Sequence, residues 1–123
     1  MSFEADMRRI AAKIDASTEQ LGRAVKLELF KGTIQDTRVD TGRLKGNWQT
    51  SEEAPILTQI DRLDPQGSAA IAEAESVVQG VSLTYMTNNL PYAEVYEEKD
   101  AMVAKNVARV KRNIAKKARE LNK

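Results

Sequence analysis

The sequence has neither cysteine nor histidine, and it has few aromatic residues. Without thiol and imidazole groups the chain can form no disulfide, zinc finger, thiol nucleophile or Ser-His-Asp triad. Any metal would need oxygen ligands alone. Only 5% of the 123 residues are aromatic, so aliphatic side chains and alanine must fill most of the core. The composition therefore excludes catalytic and metal centres that depend on thiol or imidazole groups, and we predict no catalytic residue, cofactor or metal site.

A long apolar run and a basic leader segment are also missing. The longest apolar run is far shorter than the roughly 18 residues that cross a bilayer. Met1-Ser2-Phe3-Glu4 places an acidic residue where a signal peptide carries basic ones. We expect a soluble, unprocessed chain that forms a single domain over residues 1–123 and makes no membrane contact.

Charge is unevenly distributed along the chain, although the formal net charge is only +1. Residues 1–98 carry 10 basic and 16 acidic side chains, a balance of −6, whereas residues 99–123 carry 9 basic and 2 acidic ones, a balance of +7. An acidic body is thus followed by a basic helical tail at about 100–123. Such a tail is typical of contact with nucleic acid, with an acidic protein or with a second copy, and also of a solvated helix face.

The N-terminal third of the chain has the periodicity of one long helix. Its apolar residues recur at spacings of three and four, or their sum: Phe3, Met7, Ile10, Ile14, Leu21, Val25 and Leu29. Ser17 and Gln20 have the spacing of a capping box, which allows a break near residues 15–18. Gly32 is predicted to end the helix.

Period-two alternation predicts three short strands. The first places Leu44 and Trp48 on a buried face, the second covers Ile56 to Ile60, and the third runs from Val81 to Thr87 with Tyr85 inward. Between the second and third strands, the turn Asp64-Pro65-Gln66-Gly67 leads into a helix that Ser68 caps and Gly80 ends.

The remaining C-terminal part predicts two helices. Asn88 and Asn89 turn the chain, and Pro91 suits the start of a short helix that carries Tyr92. Asp100 is predicted to cap a last basic helix, whose apolar stripe is Val103, Val107, Val110, Ile114, Ala118 and Leu121. The predicted fold class is α+β, with a long N-terminal helix, a small mostly antiparallel three-stranded sheet, a crossover helix and a basic C-terminal helix.

Asp40, Thr41 and Gly42 form the triplet that aspartic proteases place in their catalytic loop, where two carboxylates share a proton. The triplet occurs once, so a protease would need a symmetric dimer, and the largely helical pattern does not suit that fold. A structural interpretation is stronger. Asp40 can accept hydrogen bonds from the backbone of Gly42 and Arg43, while Gly42 supplies a positive φ.

Three motifs follow one another along the chain: VDTGRLKGNWQT at 39–50, DPQGSAAI at 64–71 and TYMTNNLPYA at 84–93. Together they resemble the neck, or tail-completion, proteins of tailed double-stranded-DNA bacteriophages, over a span from Ser2 to about Glu97. Two departures stand out, because the family usually has proline at the position of Arg38 and a longer loop where this chain has Glu97 to Met102. The residues that this resemblance marks for structure or assembly are Asp40, Thr41, Gly42, Arg43, Trp48, Tyr85, Asn88, Asn89, Pro91 and Tyr92.

The resemblance implies a non-enzymatic virion protein that forms a homo-oligomeric ring at the head–tail junction, a hexamer being favoured over a dodecamer. Its implied partners are head-completion or connector proteins on one side and tail-terminator or tail-tube proteins on the other, with passing contact to DNA. The implied location is the virion, after synthesis in the cytoplasm of the host bacterium.

Plainer roles compete for several of these residues. Tyr85 suits a core position, and Asn88 and Asn89 most often serve turns. The basic tail also leaves a DNA-binding module as the alternative function. Three hypotheses therefore remain at this point: a structural ring subunit, a DNA-binding module and an aspartic protease.

Overall fold

The computed structural model describes residues 3–13, 17–80 and 82–120, and within these residues the chain is mainly helical with one small sheet. In chain order the elements are α1 (Phe3–Lys13), α2 (Thr18–Asp36), α3 (Arg43–Gly46), β1 (Trp48–Ser51), α4 (Ser68–Val77), β2 (Tyr85–Asn88), α5 (Ala93–Asp100) and α6 (Met102–Glu120). The two strands pair antiparallel, with Trp48 opposite Asn88 and Ser51 opposite Tyr85. The predicted α+β fold with a three-stranded sheet is therefore wrong.

The second predicted strand, Ile56 to Ile60, is an irregular segment. Its carbonyl groups accept hydrogen bonds from side chains: Thr87 and Asn89 donate to the Ile56 carbonyl, and Gln49 donates to that of Thr58. These side chains hold the segment beside the sheet without a ladder of backbone hydrogen bonds. The third predicted strand is limited to β2, and Val81 lies outside the described residues.

The start of the first predicted strand is the helical turn α3. Gly42 precedes this turn with φ +89°, and its carbonyl oxygen accepts hydrogen bonds from the backbone of Gly46 at 2.9 Å and of Asp64 at 3.0 Å. Leu44 and Trp48 are buried as predicted, but Lys45 is buried as well. Its ammonium group donates to the Gln35 carbonyl at 3.2 Å. The alternation therefore located buried residues but misassigned the backbone.

Two helices, α1 and α2, replace the single long N-terminal helix. The capping box at Ser17 is confirmed, because the Ser17 hydroxyl accepts from the Gln20 backbone and the Gln20 side chain accepts from the Ser17 backbone, each at 3.0 Å. The predicted stop at Gly32 is wrong, since α2 continues to Asp36. The predicted stripe member Ile14 lies outside the described residues.

Helix α4 follows the predicted turn. Gly67 adopts φ +77° and its backbone donates to the Asp64 carbonyl, which closes the turn. The buried Asp64 carboxylate accepts from the backbone of Ala70 at 2.9 Å, so Asp64 takes the capping role that the sequence assigned to Ser68. The helix ends at Val77, three residues before Gly80.

The boundary between α5 and α6 also differs from the prediction. Helix α5 begins at Ala93, after Pro91. Asp100 is its last residue and does not cap α6. The Glu97 carboxylate takes that role, accepting from the backbones of Val103 at 2.9 Å and Ala104 at 3.1 Å. Ala101 joins the two helices with φ +51°, in the left-handed region.

The core forms where the long helices meet each other and the sheet. Helix α6 packs on α1 and α2, and its buried residues are Met102, Asn106, Val110, Ile114 and Ala118. Val103 and Val107 of the predicted stripe are only partly buried, and Leu121 lies outside the described residues. A second cluster joins α2, β1, α4 and α6 through Ile34, Trp48, Ala70 and Met102.

Trp48 is tied to the end of α2 by a buried hydrogen bond. Its indole N–H donates to the Thr37 hydroxyl at 2.8 Å, and that hydroxyl donates to the Thr33 carbonyl at 2.7 Å. The chain segment that leaves α2 toward Asp40 is thereby fixed against the sheet. No helix in the described part of the chain is both long and apolar enough to cross a bilayer.

Candidate docking groove

An open groove of about 800 Å³ forms where three chain segments meet, residues 38–44, 59–63 and 90–96. Its floor is apolar, because Leu44 and Leu90 are buried and pack together with Ala93. Its rim is exposed and polar, with Asp40, Thr41, Arg43, Gln59 and Asp61 facing the opening. A cleft of this volume is large enough to hold a small ligand or the side chains of a partner.

The first wall of the groove depends on the turn at Gly42. A β-carbon on this glycine would lie 2.6 Å from the Pro65 backbone nitrogen, so the turn packs directly on the Asp64-Pro65 turn. The Thr41 hydroxyl accepts from the Arg43 backbone at 3.3 Å. The sequence assigned an acceptor role in this turn to Asp40. Its carboxylate instead stands exposed at the rim, with no hydrogen bond among the described residues.

The second wall carries an arginine stacked on an aromatic ring. The Arg38 guanidinium lies 4.5 Å from the centre of the Tyr96 ring and forms a double hydrogen bond with the Asp100 carboxylate, at 2.7 and 2.6 Å. This pairing lowers the pKa of Asp100 and raises the pKa of Arg38 from their ordinary values. Arg38 is thus held in place and its charge is compensated.

Exposed apolar side chains complete the groove. Leu63 is 62% exposed and Tyr92 is 38% exposed. Tyr92 packs edge-on against Tyr96, with ring centres 5.8 Å apart, so its ring is supported from one side. Large exposed apolar groups next to charged ones are typical of protein contact surfaces, in which tyrosine and arginine are enriched.

The rim carries three charged side chains that have no strong partner among the described residues: Arg43, Asp40 and Asp61. The only hydrogen bond found for the Arg43 guanidinium among the described residues goes to Gln59, at a long 3.4 Å. Asp61 has none among them. The rim therefore offers one cation and two carboxylates to whatever occupies the groove.

The structure brings together five of the ten residues that the sequence singled out, namely Asp40, Thr41, Arg43, Pro91 and Tyr92. Gly42 supports them from behind. Trp48 is buried in the core, and Tyr85 is a partly buried residue of β2.

The two asparagines that follow Thr87 have positioning roles. The Asn88 side chain donates to the Leu44 carbonyl at 2.8 Å and accepts from the Leu90 backbone, which fixes the groove floor. The Asn89 side chain donates to the Ile56 carbonyl at 2.8 Å and holds the segment that leads to Gln59. Both side chains are thus used inside the chain.

Sequence reasoning missed the contribution of residues 59–63 and of Tyr96. Leu63 carried a usable signal, because a large apolar residue directly before a turn motif at 64–67 is a candidate for exposure. Nothing in the local sequence pairs Arg38 with Asp100, which lies 62 positions away. That pair is visible only in the folded chain.

A second groove of about 590 Å³ lies between α2 and α6. Its charged groups are already paired, since Arg109 donates to Glu28 at 2.9 Å and Asn106 donates to Asp36 at 2.9 Å. It offers fewer free groups than the first groove. Across residues 3–13, 17–80 and 82–120, no three acidic side chains gather as a metal site would require.

Comparisons of this chain with protein-family models, with curated proteins and with solved structures found no match.

Proposed function

We propose that this chain is a non-enzymatic structural subunit of a tailed-phage virion, which forms a ring at the head–tail junction and joins the head connector to the tail. The observation that carries this proposal is the meeting of three separated motifs around one groove. From the first motif Asp40, Thr41, Arg43 and Leu44 line it, from the third motif residues 90–92 do, and the turn at Asp64-Pro65 packs against Gly42. The same three motifs carry the resemblance to neck proteins.

The groove suits a protein partner better than a small substrate. It is open, its rim mixes Arg43 with Asp40 and Asp61, and its apolar groups Leu63 and Tyr92 stand in solvent. Burial of such groups favours association, because the removal of apolar surface from water is favourable. We assign the groove to a segment of a neighbouring head-completion, connector or tail-terminator protein.

The decisive experiment removes the protein from the virion. Phage particles assembled without this chain are expected to appear in the electron microscope as full heads separated from tails. Complementation with the unmodified chain restores joined particles. Infectious, joined particles formed without the chain would refute the proposal.

A paired variant connects the function to the groove. Arg43→Ala combined with Tyr92→Ala removes one rim charge and one exposed ring, and we expect this variant to fold but to fail to join heads to tails. Leu83→Ala is the matched control, because Leu83 is 69% exposed and does not line the groove. Equal joining by the two variants would show that the groove is not the docking site.

One observation favours DNA binding as a second candidate function. Five cations of α6 are exposed and have no hydrogen bond or ion pair among the described residues: Lys111, Arg112, Lys116, Lys117 and Arg119. Phosphate contacts by such residues would make binding fall steeply with salt concentration. Unchanged migration of duplex DNA at low salt, in the presence of the purified protein, would exclude this function.

A further inference from the structure

The outer face of α6 carries a stripe of cations opposite its buried face. At about 100° per residue, Arg112, Lys116 and Arg119 project together on the side away from Val110 and Ile114. All three side chains are exposed, and none has a hydrogen bond or ion pair among the described residues. Like charges four positions apart on a helix repel each other. In an isolated copy, the positive charges of this stripe therefore form no ion pair among the described residues.

Helix α5 carries the complementary feature. Glu94 and Glu98 are exposed one turn apart, and neither has a partner in the part of the chain that the structure describes. Val95 lies beside them and is 46% exposed. This face therefore combines two free carboxylates with an apolar group in solvent.

We infer that the outer face of α6 in one copy of this chain docks on the outer face of α5 in the next copy. Arg112 and Lys116 are four residues apart, as are Glu94 and Glu98, so each pair spans about 6 Å of helix. The two cations can therefore meet the two carboxylates at the same time. Among the described residues of one copy, no ion pair joins these two faces.

Small residues on α6 fit the apolar part of α5. Ala108 is exposed and Ala115 is partly exposed on the cationic side of the helix. Their short side chains leave space for Val95, and helices approach closely where such residues meet. A DNA duplex would neutralise the cations but would leave Val95 in water, so the pair of faces favours a second copy of the chain over nucleic acid.

The contact is head-to-tail, because the two faces are different and lie on different helices. Contacts of this type close into a ring when the rotation between neighbours fits a whole turn. The inference rests on the proposed function for its biological setting, since a ring subunit needs such a contact. It names the residues through which one subunit recognises the next.

The absence of cysteine from the chain permits a direct test. Purified protein carrying both Val95→Cys and Ala115→Cys is concentrated, oxidised mildly and run on a non-reducing gel. We expect a ladder of cross-linked species, because each copy offers both faces. An equimolar mixture of the two single variants is expected to stop at dimers. A double variant with Val95→Cys and Ala12→Cys is the control, since Ala12 is exposed on α1, and it should give no ladder.

Charge reversal tests the ion pairs in the same assay. Arg112→Glu with Lys116→Glu should reduce the yield of cross-linked species at least tenfold, and Glu94→Lys with Glu98→Lys should do the same. Combining all four reversals should restore the ladder. Circular dichroism of each variant verifies that these exposed substitutions leave the fold intact.

Three results would overturn the inference. They are the absence of a ladder in the double cysteine variant, a ladder that charge reversal leaves unchanged, and failure of the combined reversals to restore it. A shift of duplex DNA that Arg112→Glu with Lys116→Glu abolishes, without any ladder, would assign the stripe to nucleic acid. A ladder in solution together with joined particles made without the chain would keep the contact and refute the proposed function.

Discussion

Arg38 and Asp100 form a bidentate ion pair that connects the end of α2 to the end of α5, across 62 positions of the chain. The two hydrogen bonds measure 2.7 and 2.6 Å. Paired bonds between a guanidinium and a carboxylate fix orientation as well as distance. The pair therefore sets the position of Tyr96, over whose ring Arg38 lies, and with it one wall of the groove.

This pair predicts a pH-dependent contribution to stability. The Arg38 guanidinium lowers the pKa of Asp100 below its ordinary 3.8. The pair therefore contributes its full stabilisation at pH values above the ordinary pKa, which Asp100 has in the unfolded chain. The contribution is lost as the pH falls through the lowered pKa of the folded state. Asp100→Asn should therefore lower the thermal midpoint at pH 7, and the difference from the unmodified chain should shrink below about pH 4. Asp61→Asn is the control, and a difference for Asp100→Asn that does not vary with pH would contradict the prediction.

Substitution of Gly42 should destabilise the chain. Alanine would have to adopt φ +89°, and its β-carbon would lie 2.6 Å from the Pro65 nitrogen. We expect Gly42→Ala to lower the free energy of unfolding by about 2 kcal/mol in urea titrations followed by the fluorescence of Trp48. Gly42→Asn tolerates the positive φ better but adds the same β-carbon, so an equal loss assigns the effect to contact with Pro65. A neutral Gly42→Ala variant would show that the turn can move.

Arg62 stabilises the outer edge of β1. Its guanidinium donates to the carbonyls of Gly46 at 2.7 Å and Trp48 at 2.8 Å, and it pairs with Glu73 at 3.2 Å. A lysine cannot make these three contacts at once, so Arg62→Lys should lower the free energy of unfolding by about 1–2 kcal/mol. Arg112→Lys replaces an exposed arginine and should be neutral in the same denaturant titration. Equal stability of both variants would be evidence against this role.

Capping by Glu97 supplies a further test. Its carboxylate accepts from the first free backbone N–H groups of α6, so Glu97→Ala should cost about 1 kcal/mol of unfolding free energy. Glu98→Ala changes the neighbouring exposed acid, which caps nothing, and should have no measurable effect. Calorimetry of the two variants at the same pH measures the difference in their free energies of unfolding. A similar small change in both would remove the capping role.

Local sequence signals predicted part of this fold correctly. The capping box at Ser17 and the turn at 64–67 depend on residues within three positions of each other, so their geometry is encoded locally. The positive φ of Gly42 and the burial of Leu44 and Trp48 were also predicted. These features need no knowledge of distant parts of the chain.

Distant partners decided the elements that were mispredicted. Residues 56–60 alternate like a strand, yet the Gln49, Thr87 and Asn89 side chains occupy their carbonyls. Asp100 is a residue type that often caps helices, but its carboxylate accepts a hydrogen bond from Arg38. Glu97 caps α6 instead. The groove likewise depends on segments that only the folded chain brings together. Five of its residues were recognisable as motif members, and the contribution of residues 59–63 was not.

The left-handed Ala101 has a consequence for the shape of an assembly. This single residue, at φ +51°, sets the angle between α5 and α6. If those two helices carry the faces that join neighbouring copies, the backbone torsions of Ala101 determine the curvature of the assembly. A change in this angle would change the rotation between neighbouring copies, and the assembly closes into a ring only when that rotation fits a whole turn.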